Sequence, residues 1–319
     1  MFHWENGLKL TTADLAIDFR RRQPRAFISH AHSDHMARHE FALCTPETGA
    51  LYQLRLGPRR TLDLPYRQTL DWAGLRLTTY PAGHCLGSAM LLAEDQGRTL
   101  LYTGDFKLQP SLTAEPAELP HADTLVIEST YGHPDYRLPP REESLAEFLT
   151  LVRRALAEEL VPVIQAYVLG KGQEVTRLLC DAGIPVLQHR SIFEVSQMYE
   201  SLGCRLGRFE CFRGRAEPGW AVVVPPGGVP SGSLPNLARQ IRFALTGWAI
   251  DPGAKYRLGV DHAIPLSDHA DYDELIEAVD RVAPQAVYCT HGPESFVDRL
   301  LDLGYNAHVL GKPRQGRLF

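Results

Sequence analysis

The segment His30-Ala31-His32-Ser33-Asp34-His35 directly follows the apolar residues Ala26-Phe27-Ile28. Alternate residues of an extended chain point the same way, so His30 and His32 can bind one metal ion. Asp34 and His35 come where the chain must turn, and they can diverge toward a second ion. Imidazole and carboxylate donors suit zinc best, with manganese as an alternative. A solvated polar turn explains a single histidine better than it explains this cluster of ligand-type side chains.

Two further metal-ligand candidates each follow a predicted strand. His84 comes directly after residues 79–83, and Asp105 comes directly after residues 101–104. Either residue alone would be interpreted as part of a turn. Together they complete a first predicted site, which consists of His30, His32 and His84, and Asp105 is free to bridge to a second one.

The second predicted site contains Asp34 and His35 and needs one more ligand. His291 ends a predicted strand over residues 286–290 and is the candidate for that position. The sequence therefore predicts two divalent metal ions, most simply Zn²⁺, that share Asp105.

The order of these residues resembles the metallo-β-lactamase superfamily, which uses H-x-H-x-D-H, a distant histidine, a bridging aspartate and a C-terminal histidine. The resemblance implies an α/β fold, the αββα sandwich, with two zinc ions at one edge. It also implies that Asp18, which follows the predicted strand Leu15-Ala16-Ile17, is a buried acid that orients the ligand loop.

Two more segments resemble the diagnostic motifs of the β-CASP nucleases, a group within this superfamily. Residues 128–132 (Glu-Ser-Thr-Tyr-Gly) follow a predicted strand, residues 266–271 (Leu-Ser-Asp-His-Ala-Asp) precede a predicted helix, and His291 resembles the third motif. The resemblance gives His269 the role of acid toward the leaving oxygen, held by Glu128. The predicted catalytic residues are Asp34, Glu128 and His269.

The segment between these motifs changes character after Pro139-Pro140. Short β-type segments give way to alternating strands and helices, which is typical of a parallel sheet. We therefore predict a metallo-β-lactamase domain over residues 1–136 and 261–319, interrupted by an α/β β-CASP cap domain over residues 137–260. A Pro/Gly-rich loop is expected at residues 224–235.

The composition fits this picture of a globular enzyme. The chain has 319 residues and a formal charge of −5, which predicts about two domains. The sequence contains no apolar run near the roughly 18 residues that span a bilayer, and its N-terminus does not resemble a signal peptide. Six cysteines without a C-x-x-C pair suit a reducing cytoplasm. The acidic balance argues against coating of nucleic acid by bulk charge, but it leaves room for a local basic groove.

Substrate contacts are expected in a cleft between the two domains. Lys107 follows the bridging Asp105, and Lys171 lies at a strand-to-helix turn where backbone N–H groups also point outward. Both lysines are predicted to bind phosphate. A further basic cluster comprises Lys312, Arg314 and Arg317.

The predicted function is hydrolysis of phosphodiester bonds in single-stranded nucleic acid by two metal ions. Residues 45–48, 56–58 and 136–140 are similar to bacterial exonucleases associated with DNA ligase and helicase repair operons. This similarity favours a DNA exonuclease with DNA ligase or helicase as partners. The resemblance to the family implies a 5′→3′ polarity.

Three alternatives remain open at this stage. Glu128 and His291 match the residues found at these positions in the RNA-cleaving members of the group, so an RNA-processing nuclease is the first alternative. A small-molecule ester or lactone hydrolase would not need so large a cap. A catalytically inactive scaffold should have lost ligands, and here all the motif positions are filled.

Overall fold

The computed structural model describes residues 1–227 and 239–311, which form two compact units. Unit 1 contains Met1–Pro110, Ala114–Asp135 and the chain from His269 onward, and unit 2 contains Ser111–Thr113 and Tyr136–Asp268. Residues 228–235 of the expected loop, and the cluster at Lys312, Arg314 and Arg317, lie outside the described residues.

The strands and helices are numbered in chain order. The strands are β1 (Phe2–Trp4), β2 (Leu8–Leu10), β3 (Leu15–Ile17), β4 (Ala26–Phe27), β5 (Ala42–Cys44), β6 (Thr61–Asp63), β7 (Thr69–Trp72), β8 (Leu75–Pro81), β9 (Ala89–Asp95), β10 (Arg98–Tyr102), β11 (Thr124–Glu128), β12 (Val161–Gln165), β13 (Val186–Gln188), β14 (Phe209–Cys211), β15 (Ala221–Val224), β16 (Gln240–Leu245), β17 (His262–Ile264), β18 (Ala286–Thr290) and β19 (Ala307–Val309). The α-helices are α1 (Pro46–Leu56), α2 (Arg141–Ala157), α3 (Lys171–Asp181), α4 (Arg190–Ser201), α5 (Ala254–Leu258), α6 (Tyr272–Val282) and α7 (Glu294–Asp302), and a 3-10 helix covers Gly247–Ile250.

Two sheets form the centre of unit 1. The first has the order β1-β2-β3-β4-β5-β6, and the second has the order β19-β18-β11-β10-β9-β8-β7. Leu10 and Phe27 of the first sheet share one apolar core with Leu77, Leu91 and Val126 of the second. The alternation of apolar side chains along these strands is what lets each sheet turn one face to this core.

Helices cover the outer faces of this pair of sheets. Leu125 and Ile127 of β11 share a second core with Leu275 and Val279 of α6 and with Phe296 of α7. On the other side, α1 lies beside β5 and β6. These layers form the αββα sandwich that the sequence predicts, and the predicted fold class is confirmed.

Unit 2 contains a six-stranded parallel sheet with the order β14-β13-β15-β12-β16-β17. Helices α2, α3 and α4 pack against it, where Phe148, Val175 and Ile192 share one apolar core with Ile164 and Val223. The unit continues to Asp268, past the predicted boundary at residue 260, because β17 pairs with β16.

The structure also bears on membrane association. Within residues 1–227 and 239–311, no helix combines the length and the apolar character needed to cross a bilayer.

Candidate metal centre

The first group of donor atoms combines three histidines with one aspartate. His30 Nε2 lies 3.0 Å from His32 Nδ1, and His84 Nε2 lies 3.1 Å from the same His32 atom. Asp105 Oδ2 is 3.5 Å from His30 Nε2 and 4.0 Å from His84 Nε2. One donor atom from each of the four residues lies within 4.8 Å of the others. The structure therefore brings together all the members of the first predicted site.

The direction of the strands explains this convergence. In the second sheet of unit 1, strands β8, β10, β11 and β18 run parallel to one another, so their carboxyl ends lie at one edge. The residues that follow or end these strands are His84, Asp105, Glu128 and His291. Two glycines permit the close approach of the loops there. A Cβ at Gly104 would lie 2.8 Å from the Ser29 side chain, and one at Gly292 would overlap the Ser129 carbonyl oxygen.

A second group of donor atoms adjoins the first and shares Asp105 with it. His35 Nε2 lies 3.2 Å from Asp105 Oδ2, and the rings of His35 and His291 are 5.4 Å apart. These three residues also offer donor atoms within 4.8 Å of one another. Asp105 is thus the one carboxylate that belongs to both groups, where the sequence predicts a bridging ligand.

Asp34 lies at the edge of this second group. Its Oδ2 is 4.0 Å from His35 Nε2, but the side chain is half exposed and stands 3.8 Å from Arg20. Among the described residues, the groups of close donor atoms do not include Asp34. Its roles as ligand and catalytic residue stay predictions.

Asp18 lies behind His35, on the side away from Asp105. Asp18 Oδ2 is 2.8 Å from His35 Nδ1, and Asp18 also accepts hydrogen bonds from Ser29 N at 2.8 Å and from the Tyr102 hydroxyl at 2.9 Å. A carboxylate on Nδ1 directs Nε2 of the same ring toward Asp105. This is the arrangement that the resemblance implies for Asp18.

The sequence reasoning missed Ser29 and Tyr102. Ser29 Oγ lies 3.0 Å from His30 Nδ1 and thereby links Asp18 to a second imidazole. A signal for Tyr102 was present, because a tyrosine that ends a buried strand needs a partner for its hydroxyl.

The electrostatics of the cluster follow from burial and from the nearby charges. Burial lowers the pKa of His30 well below its usual value, and the neighbouring histidines lower it further. For His35, burial acts in the same direction, but Asp105 and Asp18 outweigh it and hold its pKa well above the usual value. For Asp105, burial is outweighed by His35 and His269, so its pKa is held well below the usual range. Asp105 is therefore an anion, as a metal ligand must be.

Glu128 and His269 form a separate pair beside Asp105. His269 Nδ1 lies 3.0 Å from both carboxylate oxygens of Glu128. Glu128 is buried and accepts further hydrogen bonds from Phe106 N at 2.8 Å and from Thr130 Oγ1 at 2.6 Å. These contacts hold Nδ1 against the carboxylate and leave Nε2 as the nitrogen that can reach a substrate. The sequence did not single out Thr130, which donates to Glu128.

The two lysines predicted to bind phosphate are both buried. Lys171 Nζ lies 2.6 Å from Asp268 Oδ1 and donates to the Leu266 carbonyl oxygen at 3.0 Å. Burial raises the pKa of the Glu274 carboxyl to about 7, although Lys107 lies close enough to act weakly in the opposite direction. Direct phosphate contact by either lysine stays a prediction, and for Lys171 it would require the loss of a buried ion pair.

The chemistry of the donor set fits divalent metal ions. Imidazole nitrogens and one shared carboxylate are the ligands that zinc prefers, and the donor atoms are already within ligand spacing of one another.

Comparison with known proteins agrees with this geometry. Residues 256–310 match the family model described as "Zn-dependent metallo-hydrolase RNA specificity domain". A protein from Opitutus terrae named "Probable DNA ligase" is 38% identical over 316 residues, which is 98% of this chain and 31% of that protein. The chain belongs to the β-CASP group of the metallo-β-lactamase superfamily. Its metal-donor cluster and its family both support the use of divalent metal.

Two other similar proteins extend the comparison. "5′ exonuclease Apollo" from Gallus gallus is 29% identical over 305 residues, which is 88% of this β-CASP chain and 63% of that protein. A crystal structure of a protein of unknown function from Enterococcus faecalis V583 has a TM-score of 0.62 at 13% identity, covering 92% of this chain and 80% of the other, and it shows the same fold. The chain thus spans about a third of the Opitutus protein and less than two thirds of the avian one.

Proposed function

We propose that this chain is a nuclease that uses two divalent metal ions to hydrolyse phosphodiester bonds of single-stranded nucleic acid, with DNA as the favoured substrate. The observation that carries the proposal is the position of Asp105. Its carboxylate faces both groups of histidines and also adjoins the Glu128–His269 pair.

The ligands are assigned from the two donor groups, and Asp34 is added from the family resemblance. One ion would be held by His30, His32 and His84, the other by His35, His291 and Asp34, and both by Asp105. Zn²⁺ fits these donors best, and Mn²⁺ is the alternative. When bound, such ions supply a nucleophile at neutral pH and Lewis acidity toward the phosphoryl oxygens.

The protein's own part in the reaction lies with His269. The carboxylate of Glu128 fixes the ring through Nδ1, so that Nε2 can donate a proton to the leaving oxygen. Asp18 has the corresponding role for His35, because it fixes Nδ1 and holds Nε2 toward Asp105.

The names of the relatives support DNA and a 5′ polarity. The Opitutus protein is named a probable DNA ligase, and the avian relative is named a 5′ exonuclease. On this basis DNA ligase, with a helicase, is also the proposed repair partner. The competing proposal is an RNA nuclease, which the "RNA specificity" description of the matched family model supports.

The decisive experiment uses matched single strands of DNA and RNA, each labelled at either the 5′ or the 3′ end. The full chain is loaded with Zn²⁺ or Mn²⁺, and His269→Ala serves as a variant that should retain metal but lose most turnover. We expect mononucleotides to be released from the 5′ end of DNA.

Each other outcome points to a different function. Faster cleavage of RNA than of DNA would indicate that RNA is the substrate. Products cut at internal positions would indicate an endonuclease. Turnover of esters or lactones without cleavage of either strand would overturn the nuclease proposal.

A further inference from the structure

A pocket of about 340 Å³ lies in unit 2, and none of the residues that line it is assigned to metal or to proton transfer. It opens at the carboxyl ends of the neighbouring strands β12 and β16. Its volume is within the usual range of about 300–1,000 Å³ for small-molecule sites. The metal-donor residues all belong to unit 1, so the pocket is a separate feature that the proposed chemistry does not use.

The topology of the sheet marks this crevice as a ligand site. The chain leaves β12 through α3 toward β13, which lies on one side of β12, and it leaves β16 through α5 toward β17 on the other side. In open parallel sheets, ligands bind outside the carboxyl ends of strands at the point where successive connections diverge in this way.

Two large aromatic side chains line the pocket and remain partly exposed. Tyr167 is 53% exposed and Trp248 is 42% exposed, although both are of a size that folding normally buries. The Trp248 indole is held in place, because the Tyr136 ring meets it edge-on with centroids 5.0 Å apart. Aromatic rings presented in this way are the platforms on which nucleic-acid bases stack.

The remaining walls offer one apolar side and a few polar groups. Leu245 and Leu258 line the pocket together with Gln165 and Arg257. Arg257 donates to Asp251 Oδ2 at 2.7 Å, which orients the guanidinium, while its side chain remains 59% exposed. A planar ligand with apolar faces, a polar edge and an attached anion matches this set of side chains. A lipid chain or an apolar peptide would cover Gln165 without supplying a hydrogen-bond partner, which costs free energy.

We infer that this pocket binds one nucleobase of the nucleic-acid strand, stacked on Trp248 or Tyr167, with Arg257 facing its phosphate. The inference rests on the proposed function, because it takes the substrate class from it. It adds a base-binding subsite whose residues belong to unit 2, whereas the residues assigned to the metal ions belong to unit 1.

The test measures binding of two strands that differ only in their bases. The full, metal-loaded chain is titrated into a fluorescently labelled single-stranded decamer with phosphorothioate linkages, and into an abasic decamer of the same length and charge. The variants are Trp248→Ala, Trp248→Phe and Tyr167→Ala. Tyr256→Ala is the matched control, because Tyr256 is 78% exposed in the same unit and does not line the pocket.

We expect Trp248→Ala to weaken binding of the base-containing strand by roughly five- to a hundredfold, as the loss of a stacked base predicts. Trp248→Phe should retain most of the affinity, and Tyr256→Ala all of it. Binding of the abasic strand should be the same in every variant, which also shows that the fold is intact.

Two outcomes would overturn the base-binding site. One is an equal loss for both strands in Trp248→Ala, which would indicate a contact with the backbone or damage to the fold. The other is unchanged binding of the base-containing strand in both the Trp248→Ala and the Tyr167→Ala variant.

A competition arm with adenosine monophosphate separates this inference from the proposed function. If the wild-type chain binds neither strand, the proposed function fails and the strand is excluded as the source of the base. If the wild-type chain then binds the mononucleotide and Trp248→Ala does not, the pocket is still a nucleobase site, and its ligand is a free nucleotide. No binding of the mononucleotide either would overturn the inference entirely.

Discussion

Asp18 Oδ2 lies 2.8 Å from His35 Nδ1, and the Tyr102 hydroxyl donates to the same oxygen at 2.9 Å. The contact joins residue 18, which directly follows β3, to the loop that follows β4. Because one imidazole nitrogen is held by the carboxylate, the other is directed at Asp105, 3.2 Å away. The geometry of the second donor group therefore depends on a residue that is not expected to touch the metal.

Replacement of this carboxylate should weaken metal binding. Asp18→Asn retains the shape of the side chain but offers a weaker acceptor to His35 Nδ1, and we expect metal affinity to fall by about 10- to 100-fold. Tyr102→Phe, which removes only one hydrogen bond to Asp18, should have a smaller effect. The measurement is the metal content after dialysis against graded chelator, with the exposed Asp14→Asn as control. Wild-type metal retention in Asp18→Asn would contradict the orienting role.

Replacement of Glu128 should affect turnover and leave metal content unchanged. Glu128→Gln removes the carboxylate that lies 3.0 Å from His269 Nδ1, and we expect kcat to fall by about 10²- to 10⁴-fold. Metal content should match that of the wild type, because Glu128 is placed to hold His269. The exposed Glu5→Gln, also in unit 1, is the control for loss of a carboxylate. A loss of metal in Glu128→Gln would instead assign Glu128 as a ligand.

Lys171 should contribute to stability through its ion pair. Its ammonium and the Asp268 carboxylate are both buried at a separation of 2.6 Å, so Lys171→Met leaves a buried charge without its partner. We expect the free energy of unfolding to fall by about 3 to 5 kcal/mol, measured by urea denaturation. Lys255→Met, at an exposed position in the same unit, should change little. A variant of normal stability whose DNA affinity depends less on salt would favour the phosphate-binding role instead.

His39 should make the stability of the protein depend on pH. Burial lowers the pKa of His39 from 6.5 to about 4, whereas in the unfolded chain it takes up a proton near its usual value. Between these values the unfolded chain binds more protons, so the contribution is fully present above pH 6.5 and is lost as the pH falls toward 4. We expect a loss of about 3 kcal/mol across this range. Urea unfolding of the wild type at several pH values in this range, compared with His39→Asn, should show a flatter profile in the variant.

His3→Asn is the control for that experiment. His3 is exposed, and its replacement should leave the pH profile as in the wild type. Identical profiles for wild type and His39→Asn would show that His39 does not titrate in this way.

The sequence was sufficient for those parts of the molecule that depend on local pattern. The local order of the H-x-H-x-D-H stretch predicts that His30 and His32 belong to one donor group and His35 to a second, and the donor atoms lie in such groups. The helix that begins after Asp271 has the predicted capping box, because the two hydrogen bonds of that motif join residues only three positions apart. The order of motifs also sufficed to recognise the family.

The contacts between residues that are distant in sequence follow from the tertiary structure. Tyr102 and Asp18 are 84 positions apart, and they meet because β3 and β10 lie in two sheets that share one core. The sequence predicts a phosphate contact for Lys171, but in the structure its ammonium forms a buried ion pair with Asp268. The two residues are far apart in the sequence and lie in the same unit. The pocket beside Trp248 exists because the pairing of β12 with β16 joins segments that no periodicity connects. Local sequence determines the conformation of each segment, whereas the neighbours of a side chain follow from strand order and packing, which involve the whole chain at once.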